Sequence, residues 1–153
     1  MMVGLPGAGK STWAKENHPD LDIICKDGIR TELGFLEEGE KGLCKRLTQE
    51  KIVDKVFFER ITQCIRDRKD IVIDDPNNRK ILRRKLKDMF KDLDIKWVYV
   101  WIEAPDLETN NERRAGQLPK GFIEMVQKSS QPPTEDEYDE IIHIKQTKTN
   151  EKD

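Results

Sequence analysis

The chain has 153 residues, a length that suits one compact domain better than two. Apolar residues make up 35% and charged residues 38%, and the formal net charge is −2. No run approaches the roughly 20 apolar residues of a membrane span, and global charge announces no polyanionic partner.

Cys25, Cys44 and Cys64 are spaced too widely for a CxxC pair or a Cys/His cluster. Reduced thiols, no zinc site and a cytoplasmic location are expected. No signal-peptide pattern precedes the first motif.

The first element reads as a strand, "MMV", with only three residues before Gly4. Such strands usually run to about five. The strand is therefore clipped, or the natural chain starts earlier. Next comes "GLPGAGKST", which matches G-x-x-x-x-G-K-[ST] at Gly4, Gly9, Lys10 and Ser11. Here Gly4, Pro6, Gly7, Ala8 and Gly9 let the backbone wrap an anion, and the helix beginning near Thr12 adds its dipole. Lys10 is placed to reach the β- and γ-phosphates of a nucleotide such as ATP, and Ser11 to ligate Mg²⁺. A chance glycine-rich turn is the alternative. The flanking strand and helix patterns favour the cradle.

The second strand, "LDII" (21–24), runs into "CKDGIR". Asp27 lies just past its C-terminal end, the edge where open α/β sheets hold ligands. It suits a general base for a hydroxyl and, equally, a helix N-cap before "GIRTEL". Arg30, one helical turn later, suits an anion on an acceptor.

A long helix follows over 49–69, with Ile52, Val53, Val56, Phe57, Ile61, Cys64 and Ile65 at helical spacing. The strand "IVI" (71–73) then ends in "DDPNNR", where Asp74 or Asp75 suits a metal or its water. Turn chemistry through Asp75, Pro76 and Asn77 is the other reading. The next helix, 77–93, carries an apolar stripe of Ile81, Leu82, Leu86, Met89 and Phe90 and the basic run "RKILRRKLK". Acidic runs lie at 37–40 and 134–140. The basic run reads as a solvated face or as a surface for phosphates.

The fourth strand, "WVYVWI" (97–102), leads to a short polar helix (107–114) carrying Arg113 and Arg114. Its Gly-containing loop and Pro119 suggest a lid that closes over phosphates. A helix (122–128) and the strand "IIHI" (141–144) complete the chain. The two histidines, His18 and His143, lie away from every motif and read as structural.

Alternating short strands and helices argue for an α/β domain with a parallel sheet. In this order, the pieces from Gly4 to about Ile144 resemble the kinase domain of the polynucleotide 5′-hydroxyl kinases, the phage type especially. "GKSTWA" is very similar to that family's loop, "DGIR" to its Asp-x-x-Arg, and Asp75-Pro76-Asn77 to its strand-end D-x-N.

The resemblance implies a P-loop kinase three-layer sandwich with a mostly parallel sheet of four to five strands, helices on both faces and a helical lid. It implies a kinase domain over 1–144, and the polar stretch 145–153, with nothing to bury, reads as a mobile tail. It implies transfer of the γ-phosphate of ATP or another NTP, with Mg²⁺, to the 5′-hydroxyl ends of RNA or DNA in nucleic-acid repair. Any ligase or further end-healing step would come from a separate protein.

By the same resemblance Asp27 is the base and Arg30 binds an acceptor phosphate, with Asp75 and Asn77 beside it. Arg114 stabilises the transferring group. Asn110 stands where the family has its first lid arginine, a place for which Arg113 can compensate. The rival expectations are a kinase of a small metabolite or nucleoside, and a nucleic-acid-binding nucleotide module without transferase activity.

Overall fold

The computed structural model of the chain describes residues 1–35 and 43–148, and of residues 43–46 the backbone alone. The elements in order are β1 (Met2–Val3), α1 (Lys10–Asn17), β2 (Asp22–Ile24), α2 (Lys26–Glu32), α3 (Leu43–Arg66), β3 (Ile71–Ile73), α4 (Lys80–Asp88), β4 (Val98–Glu103), α5 (Leu107–Arg113), α6 (Phe122–Lys128) and β5 (Glu140–Lys145). A 3₁₀ turn at Glu135–Glu137 precedes β5. The acidic run 37–40 and the Cys44 side chain lie outside the described residues.

All strand pairs are parallel, as the alternation of strands and helices requires. The strands β1, β4 and β5 form one ladder, and β2 and β3 form another. Two bonds join them: Gly4 N donates to Pro76 O (3.1 Å) and Asn77 Nδ2 to Met2 O (2.7 Å). The end of β3 is thereby brought beside the end of β1. β1 is as short as its sequence implies, but its ladder is lengthened. The Met1 nitrogen donates to Val98 O (2.7 Å), and Val100 N donates to Met1 O (2.9 Å).

Two apolar clusters cover the two sheet faces. On one, Val53, Phe57 and Ile61 of α3 pack with Ile24, Ile73 and Leu86. On the other, Ala14 of α1 packs with Met2, Val72, Val100 and Ile102. The i, i+4, i+8 spacing of the α3 trio puts them on one stripe, and burying each contributes roughly 1.5–3 kcal/mol.

The α4 stripe differs from its sequence pattern. Leu86 and Phe90 are buried, but Ile81, Leu82 and Met89 are exposed. The fully buried member of that face is Arg83, at 0% exposure. Arg83 displaces the apolar residues because an acid meets it. Its Nε and Nη2 donate to the Glu137 carboxylate at 2.8 and 3.1 Å, and its Nη1 donates to Asn77 O at 2.9 Å.

The last strand runs to Lys145, and the chain then stays against the domain. Lys148 Nζ pairs with Asp106 at 2.7 Å at the start of α5. Of the tail expected over 145–153, residues 149–153 lie outside the described residues. Among the described residues no helix is long and apolar enough to cross a membrane.

Candidate functional site

The loop between β1 and α1 needs glycine where other elements crowd it. A Cβ on Gly4 would meet Ile102 O at 2.4 Å, and one on Gly7, whose φ is 80°, would meet Asn110 O at 2.6 Å. The α1 helix starts at Lys10, and Ser11 and Thr12 are exposed in its first turn. The Lys10 side chain is buried, and its Nζ donates to Leu5 O at 2.9 Å. Burial pulls its pKa down to about 8, with Asp74 and Asp75 opposing that shift.

Ser11 Oγ donates to Asp74 Oδ2 at 2.6 Å, and Asp74 is buried at the end of β3. A hydroxyl and one carboxylate are the oxygen ligands a Mg²⁺ ion takes from protein when waters and phosphates supply the rest. Ser11 and Asp74 therefore fit that ion. Of the two strand-end acids, it is Asp74 that meets the loop. Asp75 lies 3.7 Å from Lys26 Nζ, and burial raises its pKa.

On the other side of the loop, Cys25 caps α2. Gly28 N donates to Cys25 Sγ at 3.3 Å, and the thiol's pKa is raised by burial, which keeps it neutral. Asp27 is thus not the N-cap. It sits in the first turn with a carboxylate 68% exposed. Arg30 Nη1 donates to its Oδ1 at 2.7 Å, and Arg114 Nη2 lies 3.7 Å from its Oδ2.

Arg30 is held hard by a residue no sequence motif indicates. Its Nε and Nη2 form a fork on the Glu50 carboxylate, both at 2.8 Å. Lys26 pairs with Asp54 (2.9 Å) and lies over the Phe57 ring. The expected acceptor-binding cation is therefore already shared by two acids.

Three further sequence expectations change in the structure. Asn77 was expected at the acceptor, but its amide donates to Met2 O and to Asp75 O (2.9 Å) and is buried. With φ 46° it is a turn residue that ties two strands. Arg113 was expected on the nucleotide, but its Nη1 donates to Gly7 O (3.1 Å) and Gln146 Oε1 (2.9 Å).

The basic run on α4 reads as a surface for phosphates, but four of its six cations are taken by the acidic run before β5. Lys80 and Arg84 pair with Asp136, Arg83 with Glu137, and Lys87 donates to the Glu137 carbonyl. The histidines are exposed and each meets a tryptophan ring: His18 lies edge-on to Trp13, and His143 is stacked on Trp101 at 3.8 Å with its Nε2 3.0 Å from Glu103.

The helix expected as a lid, α5, lies against the loop. Asn110, 3% exposed, donates to Pro6 O at 2.8 Å, and Arg114 Nε is buried without a hydrogen-bond partner. Gln146, which no motif indicates, donates to Ala8 O at 3.1 Å. Its position just past the C-terminal end of β5 was the available signal, since that edge of a parallel sheet gathers ligands. Glu50 offered none, because it is 20 residues from Arg30 on a solvated helix face.

The sequence matches the family model for an AAA domain over residues 1–133. No curated protein matches it. Among solved structures, a Chloroflexus aurantiacus J-10-fl protein provisionally described as a kinase superposes with a TM-score of 0.73. The match covers 99% of this chain and 89% of that one, at 14% identity. At that identity the likeness is one of fold, the mixed α/β architecture of P-loop kinases.

Proposed function

The chain belongs to the AAA domain family and has a P-loop kinase fold, and on that premise we propose that it is an NTP-dependent kinase acting on the hydroxyl of a small, uncharged acceptor such as a nucleoside. One observation carries the transferase reading. Asp27, uncapped and exposed, stands 3.7 Å from Arg114, and both lie within electrostatic reach of Lys10. An acid for the acceptor's proton, an arginine for the transferring group and a lysine for the donor phosphates are the parts that phosphoryl transfer needs.

Asp27 accepts the hydroxyl proton as the acceptor oxygen bonds to the γ-phosphorus, while the bond from that phosphorus to the β-phosphate oxygen breaks and the NDP leaves. Arg114 compensates the charge on the moving group. Ser11 and Asp74 would hold Mg²⁺, which would supply further charge compensation to the phosphates.

The acceptor class follows from charge. Among the described residues beside α2, four carboxylates (Asp27, Glu50, Asp54 and Asp75) meet three cations (Lys26, Arg30 and Arg114). Such a surplus of acid repels a polyanion. Four of the six cations in the basic run of α4 (Lys80, Arg83, Arg84 and Lys87) are also engaged internally.

A second reading, a 5′-hydroxyl kinase of RNA or DNA ends, is favoured by the Asp27–Arg30 pair itself, with an acceptor phosphate taking the place of a carboxylate on Arg30. The test is incubation with labelled ATP, nucleosides and 5′-hydroxyl oligonucleotides. Label on nucleosides, lost about 10²–10⁴-fold in kcat by Asp27→Asn with ATP binding kept, is the expected result. Label on oligonucleotides alone selects the second reading. ATP binding without transfer to any acceptor overturns the enzyme reading in favour of a non-catalytic module.

A further inference from the structure

Four consecutive loop carbonyls are each held by a side-chain donor. Lys10 Nζ holds Leu5 O (2.9 Å), Asn110 Nδ2 holds Pro6 O (2.8 Å), Arg113 Nη1 holds Gly7 O (3.1 Å) and Gln146 Nε2 holds Ala8 O (3.1 Å). The last two donors are themselves linked, since Arg113 Nη1 also donates to Gln146 Oε1 (2.9 Å). Gln146 is set in place by its own backbone, whose N–H donates to Glu103 O at 3.0 Å. From α5, which carries Asn110 and Arg113, a further clasp reaches the same segment through Asp106 and Lys148.

A trans peptide is planar, with its carbonyl and its N–H on opposite sides. Fixing the carbonyl of one residue therefore aims the N–H of the next. Asn110 orients the N–H of Gly7, Arg113 that of Ala8, and Gln146 that of Gly9. Ala8 N–H closes a turn on Leu5 O at 3.1 Å inside the loop. The Gly7 and Gly9 N–H groups are the ones left for an anion, and glycine at both gives that backbone no other restraint.

We infer that Asn110, Arg113 and Gln146 are positioning residues that preorganise the phosphate cradle from outside, so that α5 and the segment after β5 set donor affinity without touching the donor. Arg113 and Arg114 then divide the work: Arg113 braces the loop, and Arg114 serves the transferring group. The inference rests on reading the loop as a nucleotide cradle.

The test reads the cradle alone, with tripolyphosphate as the probe and calorimetry as the measurement, beside ATP. Gln146 and Arg113 are chosen because neither is buried, whereas Asn110 is. Each of Gln146→Ala, Gln146→Glu and Arg113→Ala is expected to weaken both ligands about 3- to 10-fold, the weight of one hydrogen bond. Arg113→Lys, which keeps a donor, is expected to stay within about 2-fold of the parent, and kcat is expected to hold while KM for ATP rises with the tripolyphosphate Kd.

A shifted amide resonance at Gly9, with that of Gly7 unmoved, in Gln146→Glu is the accompanying structural signal. Folded Gln146→Ala and Arg113→Ala proteins that bind tripolyphosphate like the parent overturn the inference, as does failure of Arg113→Lys to restore binding. A parent protein that binds neither tripolyphosphate nor ATP overturns the nucleotide reading itself, a distinct outcome.

Discussion

Asp27 is not spent on the helix cap, because Cys25 does the capping. The Sγ contact to Gly28 N, at 3.3 Å, also explains the glycine: a Cβ there would sit 3.1 Å from the sulfur. In the sequence, base and cap were equal readings of Asp27, because cysteine is not among the usual capping residues. Lys10, Ser11 and the loop glycines were legible because their chemistry is local. Arg30 was legible as a residue but not as a charge, because Glu50 comes from another helix.

Lys10 gives a test with two opposite signs. Its pKa is about 8 in the folded protein against 10.5 ordinarily. A bound phosphate favours the charged amine, so ATP affinity is full below pH 8 and falls by up to about tenfold per pH unit above it. The unfolded chain keeps its proton up to pH 10.5, so the ligand-free fold gains stability between pH 8 and 10.5. Calorimetric titrations from pH 7 to 9.5 and urea midpoints over the same range are expected to diverge in this way, with Lys10→Arg removing the trend in both. ATP affinity flat to pH 9.5 in the parent would refute the assignment.

At the scale of elements, α4 and the turn before β5 fold as one charged unit. The runs "RKILRRKLK" and "TEDEYDE" are each plain in the sequence, but that they meet is not, since 54 residues separate Arg83 from Glu137. Helical periodicity found α4 and misjudged its buried face for the same reason: an arginine with its acid outcompetes Ile81 and Met89 for the interior.

Breaking the buried pair is costly because the survivor keeps an uncompensated charge. Glu137→Ala is expected to cost about 3–5 kcal/mol in urea unfolding. Asp136→Ala, which removes exposed, solvent-screened pairs with Lys80 and Arg84, is expected to leave the urea midpoint close to that of the parent. Equal costs for the two would show that burial of the Arg83–Glu137 pair is not what matters.

Over the whole molecule, the two ladders divide the labour. β1, β4 and β5 carry the loop and its supports, while β2 and β3 carry Asp27 and the strand-end acids. The alternation of strands and helices made this architecture legible, because a parallel sheet demands crossovers. The seam between the ladders was not legible, since one of its two bonds comes from a side chain in a turn. Asn77→Asp preserves size and tolerance of positive φ but cannot donate to Met2 O. It is expected to destabilise the fold by about 1–3 kcal/mol, as Asn77→Ala does, and denaturation curves that leave the Asp variant unchanged would assign the role to backbone conformation alone.

The loop's outer bonds carry a last consequence, for the order in which the chain becomes competent. The carbonyls of Pro6, Gly7 and Ala8 wait on partners 104, 106 and 138 residues downstream. A ribosome delivers those partners long after the loop, and contacts that distant in sequence close slowly. The loop therefore gains its braces only after the chain well beyond it has been made. A nascent chain still lacking Gln146 holds the motif without the full grip.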